Sequence, residues 1–344
     1  MALPATAKQV TAIKLGTNFR EITEIRKVPV PKPQAGQVLV KTKFVGINAS
    51  DINLTSGRYN LAIKPPFPAG LEGIGPIVAV GEGVTNLKIG QAVAFLQNGS
   101  FAEYVIVPAD KAVPVPSSDP GLLSIVLSGL TASISLEQDG NLKAGETVLV
   151  TAAAGGTGQF AVQIAKLAGC HVIGTCSSPE KADFLKSIGC DRVINYKKES
   201  FEEVITKEYS NKLDVVYECV GKEMFDISVK NLAVKGRLIV IGAISGYENA
   251  DGLDSTEMIS KQPIAALCLR KSASIRGFFL LHYVKEFPRH IATLAKQYAE
   301  GKIKVNLDKG ENVANGPFKG LEKTVDAVEY MFSRKNIGKV IVEV

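Results

Sequence analysis

One stretch constrains this chain more than any other. Val148-Leu149-Val150-Thr151 is an apolar run, Ala152-Ala153-Ala154-Gly155-Gly156-Thr157-Gly158 follows without a large side chain, and Gln159 to Leu167 then reads as a helix. A buried strand that enters a helix through so small a turn opens a βαβ unit. Ala153-x-Gly155-x-x-Gly158 keeps the spacing of a dinucleotide-binding loop, with alanine at the first glycine position. Gly155 lets the backbone approach a pyrophosphate, and Gly158 lets the helix pack close to its strand. The amides of Ala154, Gly155, Gly156, Thr157 and Gly158 then lie at the positive end of the helix dipole, where phosphate is favoured.

Such a loop needs a parallel sheet around it, and the following residues supply one. Strand-like runs at Val172–Thr175, Arg192–Tyr196, Leu213–Tyr217 and Arg237–Ile241 alternate with helical runs at Pro179–Ser187, Phe201–Lys207 and Met224–Leu232. The strands are continuously apolar, as strands buried on both faces are. The expectation is an α/β chain with a doubly wound parallel sheet, the Rossmann arrangement, over residues 123–280. Ahead of it, short β-type runs at Val38–Phe44, Ile74–Gly81, Gln91–Phe95 and Phe101–Val107 are separated by Gly and Pro, which predicts a barrel-like β domain over 1–122. Pro29, Pro31 and Pro33 should be extended and outside a sheet interior. An amphipathic run at Lys323–Arg334 and a last strand at Gly338–Val344 suggest that 281–344 return to the first domain.

Composition removes several classes of function. The 344 residues are 46% hydrophobic and 22% charged, which excludes a disordered chain. Five cysteines without a C-x-x-C pair suit reduced thiols rather than a disulfide scaffold. The net charge of +6 comes from scattered lysines, so no basic stripe for nucleic acid is present, whereas an anionic small ligand suits it. Met1–Gln9 lacks an apolar leader core, and the weakly charged stretch Gly121–Leu136 is shorter than the ~20 residues of a membrane span. It reads as a buried core segment, no membrane span is expected, and the expected location is the cytoplasm.

The next βα junction selects the dinucleotide. An NAD site usually carries Asp or Glu at the second strand's tip, to bind the ribose 2′-hydroxyl. Here the strand ends Thr175-Cys176-Ser177-Ser178-Pro179-Glu180-Lys181, with no carboxylate at the tip. Ser177 and Lys181 favour a 2′-phosphate and therefore NADPH; the alternative is that the serines cap the helix and Lys181 is solvated. Tyr196, ending the third strand, adds a hydroxyl or a stacking face. Only His171, His282 and His290 exist, without ligand spacing, and Gly70-Leu71-Glu72-Gly73 has Leu beside the glutamate, so no metal is expected. Cys219, at a strand end, is expected to be a wall of the cofactor site rather than a nucleophile.

Taken together these residues resemble the medium-chain dehydrogenase/reductase superfamily, in its zinc-free quinone-oxidoreductase branch. The resemblance spans nearly the whole chain: Gly46-Ile47-Asn48-Ala49-Ser50-Asp51, Gly57-Arg58-Tyr59, Gly70–Gly75, Gly99–Tyr104, Ala152–Gln159, Gly174–Lys181, Asn195-Tyr196-Lys197 and Gly236–Gly242. It implies a GroES-like β-barrel domain beside the Rossmann domain. It also implies NADPH-dependent reduction of the carbon–carbon double bond of an α,β-unsaturated ketone, with 15-oxoprostaglandins among the substrates. By resemblance, Thr157, Ser177, Lys181 and Tyr196 are cofactor contacts, and Ile241, Ser245, Tyr247, Phe278, Phe279, Leu280 and Asn336 wall the nicotinamide. Cys219 stands where the family has serine. The reaction needs orientation and a donor to the developing enolate oxygen. Tyr59 is the expected donor, with Tyr247 its rival, and Asn48 positions nicotinamide or substrate. The resemblance adds the peroxisome as a second location, although the final residues carry no S-K-L address. The expected partner is a small lipophilic enone, with the chain a monomer or a homodimer. Quinone reduction and a low-turnover cofactor-bound interaction protein are the alternative functions.

Overall fold

The computed structural model describes residues 3–249 and 263–344. The chain divides into two compact units, residues 1–127 with 307–344, and residues 128–306.

The first is a β unit. Its larger sheet runs Leu307–Asp308, Lys339–Glu343, Phe44–Gly46, Glu72–Val80, Gln37–Lys41 and Tyr104–Pro108, with Ala92–Leu96 also paired to Glu72–Val80. Leu307–Asp308 and Lys339–Glu343 pair in parallel, and the other strands named pair antiparallel. Val38, Val40, Ile77, Val93, Phe95, Val105 and Val107 fill its core. A second sheet joins Thr23–Pro29, Thr6–Ala12 and Phe67–Pro68. Pro29 ends an edge strand there, where its missing N–H breaks no ladder.

The second is an α/β unit with six parallel strands. Their spatial order is Arg192–Asn195, His171–Cys176, Thr147–Val150, Leu213–Glu218, Leu232–Val240 and Ser274–Gly277. The order reverses between Thr147–Val150 and Leu213–Glu218, and the glycine loop lies there, at the sheet's carboxyl end. That topological switch point is where open α/β sheets bind ligands. Helices Gly158–Leu167, Pro179–Ser187, Phe201–Glu208 and Lys222–Lys230 follow the first four strands in chain order. Leu149, Ile173, Ile194, Val216 and Leu238 anchor the core beneath them.

Three details depart from the sequence expectation. The fifth strand begins at Leu232 rather than Arg237, because an irregularity around Lys235 (φ 63°) shifts its register and lets it continue. The α/β unit extends to Asn306 rather than 280, because helix Phe287–Ala299 is fixed to it. Ser133 Oγ lies 2.6 Å from His290 Nδ1, and His290 and Leu294 are buried. The apolar stretch is longer than read from sequence: Pro120–Gly140 forms 21 residues of helix. Among the described residues this helix alone is long and apolar enough to cross a membrane, and most of it is buried within the fold, as a core helix is.

Candidate functional site

The glycine loop is shaped by close approaches. A Cβ on Gly158 would lie 2.5 Å from Ala152 O and 2.6 Å from Ala153 O, so only glycine lets the helix start against its own strand. The alanine at the first fingerprint position is accommodated from the other side: Gly174 faces it, and a Cβ there would come within 3.0 Å of Ala153 Cβ.

The helix that follows has no side-chain cap. Ser178 accepts from Lys181 N, and Ser200 from Glu203 N, at the starts of the next two helices. Thr157 occupies the equivalent place before Gly158–Leu167, but its hydroxyl donates to Ser128 O (3.1 Å) and pairs with Tyr217 Oη (2.7 Å). A helix start needs acceptors for its first amides. Here the side chain that would serve has been turned away; Gln159 N and Phe160 N find backbone acceptors in Gly155 O and Thr157 O, and the amides of Gly156, Thr157 and Gly158 are where a phosphate would accept. The residues present therefore fit a dinucleotide.

A staircase of backbone bonds aligns the other predicted contacts along the same sheet edge. Tyr196 N donates to Cys176 O, Ala153 N to Thr175 O, Thr151 N to Tyr217 O, Ile241 N to Glu218 O and Phe278 N to Val240 O. Ser177 and Tyr196 thus follow neighbouring strands, with Lys181 in the first turn of helix Pro179–Ser187; Cys219, Ile241 and Phe278 follow the other strands, with Ser245 and Tyr247 in the turn after Ile241. Ser178, not Ser177, caps the helix, which leaves the Ser177 hydroxyl out of that role. Lys181 is 8% exposed, so the solvated alternative does not hold. Phe278 stacks on Tyr283 at 4.8 Å, whereas Phe279 is exposed and meets His282 edge-on, with half-buried Leu280 following. Ser245 Oγ donates to Val220 O, and Tyr247 Oη accepts from Ala243 N at 3.1 Å, folding back onto its own loop.

Sequence reasoning missed Glu218, which organises this edge. Its Oε1 accepts from the amides of Val220 and Gly221, both at 2.9 Å, and from Thr151 Oγ1. Burial pushes its carboxyl up to about 7. The signal was a lone acid at the end of an apolar strand. Burial, then the adjacent Glu218, raises the Cys219 thiol well above its ordinary value, which keeps it protonated and unsuited to nucleophilic attack.

The remaining predicted residues belong to the β unit. Asn48 lies in a buried cluster whose other members, Glu72, Lys339 and Asp51, the sequence reading did not assemble. Lys339 Nζ bonds Glu72 Oε1 and Asn48 Oδ1, both at 2.5 Å, and Asn48 Nδ2 donates to Glu72 Oε1 (2.9 Å) and Gly46 O (3.2 Å). Both amide hydrogens of Asn48 are engaged, so what remains on its side chain is an acceptor lone pair. Gly46 is required beside it, since a Cβ there would fall 2.2 Å from Glu72 Oε1. Asn336 is buried and donates to Gly338 O. Tyr59 follows the short helix Ser50–Thr55; its hydroxyl accepts from Asn53 Nδ2 at 3.3 Å, while Asn53 Oδ1 accepts from Arg58. Tyr59 is 40% exposed, and partial desolvation raises its hydroxyl above its ordinary value, so it remains protonated at neutral pH.

Asp51 makes a stability prediction. Its Oδ2 accepts from Asn48 N, its Oδ1 has no partner, and burial drives its carboxyl up to about 8. The folded state therefore retains a proton that the unfolded chain releases near 3.8, and Asp51's contribution to stability falls as pH rises through that window. The stability of Asp51→Asn, which cannot ionise, relative to the parent should therefore be greater at pH 9 than at pH 5 by about 2 kcal/mol or more. Thermal unfolding at the two pH values checks this; equal shifts at both would refute it.

Comparison with known proteins agrees with this geometry. Residues 34–117 match the family model described as alcohol dehydrogenase GroES-like domain, and residues 156–296 the one described as zinc-binding dehydrogenase. The chain is 52% identical to prostaglandin reductase-3 of Mus musculus, over 99% of this chain and 90% of that protein. It is 32% identical to the NADP(+)-dependent 2-alkenal reductase of Nicotiana tabacum, over 100% and 99%. The crystal structure of Escherichia coli quinone oxidoreductase complexed with NADPH superposes with a TM-score of 0.82 at 28% identity, covering 98% of this chain and all of that one.

Proposed function

We infer function from the family to which this chain belongs, the medium-chain dehydrogenases and reductases that join a GroES-like domain to a zinc-binding-dehydrogenase-type domain. Within it, the chain is an NADPH-dependent reductase of the carbon–carbon double bond of α,β-unsaturated ketones. The observation that carries this reading is the uncapped glycine-loop helix beside a strand tip that presents Ser177 and Lys181 in place of a carboxylate. The similarity to prostaglandin reductase-3 and to 2-alkenal reductase supports the substrate class.

Zinc, which the family model carries in its description, does not fit. Among the described residues no three His, Cys, Asp or Glu side chains come close enough to hold a metal ion, and buried Glu72 already has the Lys339 ammonium as its cation.

Bound NADPH supplies the hydride that adds to the β-carbon of the enone. The amides from Gly156 to Gly158 would seat the pyrophosphate, Ser177 and Lys181 would hold the 2′-phosphate, and Tyr196 would add a hydroxyl or a stacking face. Asn48 would offer its remaining acceptor to the nicotinamide or to the substrate. Tyr59 Oη donates to the carbonyl oxygen as negative charge builds there, which stabilises the enolate without full proton transfer. Water then protonates the α-carbon. All five cysteines are free thiols, in keeping with a reducing compartment such as the cytoplasm.

The test is cofactor oxidation with a 15-oxoprostaglandin, a 2-alkenal, a cyclic enone and a quinone, with product identification and a chelator control. A saturated ketone from NADPH, indifferent to chelator, is expected. A hydroquinone with no enone turnover would transfer the assignment to quinone reduction, which the likeness to the Escherichia coli enzyme favours. Lys181→Gln should raise the Kd for NADPH about tenfold or more while leaving that for NADH within twofold, as loss of one charge-assisted contact predicts. Equal effects on the two cofactors would remove Lys181 from the 2′-phosphate site.

A further inference from the structure

Gln159 and Gln163 lie one turn apart on helix Gly158–Leu167, both buried, and both grip the same extended segment. Gln163 Oε1 accepts from Lys304 N at 2.8 Å, and its Nε2 donates to Lys304 O at 2.8 Å. Gln159 repeats this pattern at Asn306, with Oε1 accepting from the amide at 2.8 Å and Nε2 donating to the carbonyl at 3.2 Å. Residues 304–306 belong to no strand, and the two carboxamides satisfy their backbone as a neighbouring strand would. The glutamines differ in one contact. Gln159 Nε2 also donates to Gly156 O, at 3.4 Å, inside the glycine loop, whereas Gln163 Nε2 turns to Gln159 O, at 2.9 Å. A single carboxamide therefore joins Gly156 to Asn306, the last residue of the α/β unit.

We propose that Gln159 is a positioning residue for the cofactor loop, coupling occupation of that loop to the order of Lys304–Asn306. The proposal rests on the cofactor reading above. A phosphate that accepts from the loop amides fixes the peptide planes around Gly156. The carbonyl of Gly156 is fixed with them, the shared amide donor of Gln159 is held, and its pairing with Asn306 tightens. By linkage, cofactor binding and closure of this clamp favour each other by the same factor. One buried neutral hydrogen bond sets that factor at roughly fivefold.

Hydrogen exchange on the full chain, with and without saturating NADPH, reads the clamp through the amides of Lys304 and Asn306. In the parent protein NADPH should slow their exchange by about fivefold. Gln159→Leu should raise the Kd for NADPH by a similar factor and abolish the cofactor-dependent slowing at Asn306. Gln163→Leu should speed exchange at Lys304 with or without NADPH, yet leave the Kd within twofold and the response at Asn306 intact. NADPH binding to the parent without any change at 304–306 would overturn the proposal and needs no variant. Equal weakening of NADPH binding by the two substitutions would also overturn it, since general helix packing would then be the cause. If the parent binds no NADPH at all, the cofactor reading falls, and the proposal falls with it.

Discussion

Gly158→Ala should raise the Kd for NADPH by at least about a hundredfold and lower thermal stability by several degrees. The added Cβ would meet Ala152 O at 2.5 Å, Ala153 O at 2.6 Å and Ala153 Cα at 2.7 Å. All three are backbone atoms, so no rotamer relieves the contact. Ala152 already sits in the left-handed region, at φ 49°, which leaves the turn little freedom to adjust. Forcing the helix away from its strand costs on the order of 1–3 kcal/mol in packing and shifts the amides that seat the phosphate. Gly155→Ala is the comparison. Its Cβ would approach only Ala152 O, at 3.2 Å, so it should weaken binding with little loss of stability. Calorimetric titration with NADPH and a thermal melt of each variant decide the matter. A Gly158→Ala protein that binds NADPH within twofold of the parent would show that this loop is not the phosphate seat.

Tyr59→Phe should lower kcat on an enone by about 10²–10³, the usual cost of one oxyanion donor, with the Kd for NADPH unchanged. The hydroxyl has a protein contact from Asn53 Nδ2, in which it accepts, and although the residue is exposed, partial desolvation only raises its ordinary value further, so it stays protonated at neutral pH. Tyr247→Phe gives the contrast. That hydroxyl accepts from Ala243 N and packs against Gly242, where a Cβ would lie 2.6 Å from it, so its loss should disturb the loop more than the chemical step. Steady-state kinetics with cofactor saturating separate the two. Tyr59→Phe retaining more than half of the parent's kcat would remove Tyr59 from the reaction.

The α/β unit was the more legible half. Its strands are buried on both faces and so are written as continuous apolar runs, and the serine-capped helices Pro179–Ser187 and Phe201–Glu208 carry their start signals locally. The β unit was harder. Strands Thr6–Ala12 and Thr23–Pro29 escaped notice because polar residues such as Lys8, Gln9, Glu24, Arg26 and Lys27 dilute the apolar pattern, and no residue of the second strand is fully buried. The late end of the α/β unit was hidden for a different reason: the pairing of Ser133 with His290 spans 157 positions, and nothing in the local spacing announces it.

For the candidate site the division follows the same physics. The sequence alone determined the glycine loop, its strand and helix, and the carboxylate-free tip at Ser177, because steric room and chain direction act between near neighbours. Tertiary structure alone decided which hydrogen-bonding groups remain available. Thr157 is turned from helix cap to partner of Tyr217, sixty positions away, and Asn48 has both amide hydrogens engaged, with Lys339 brought to it from 291 positions along the chain. A polar side chain's role depends on which of its donors and acceptors are already satisfied, and in a buried site those partners come from wherever folding brings them.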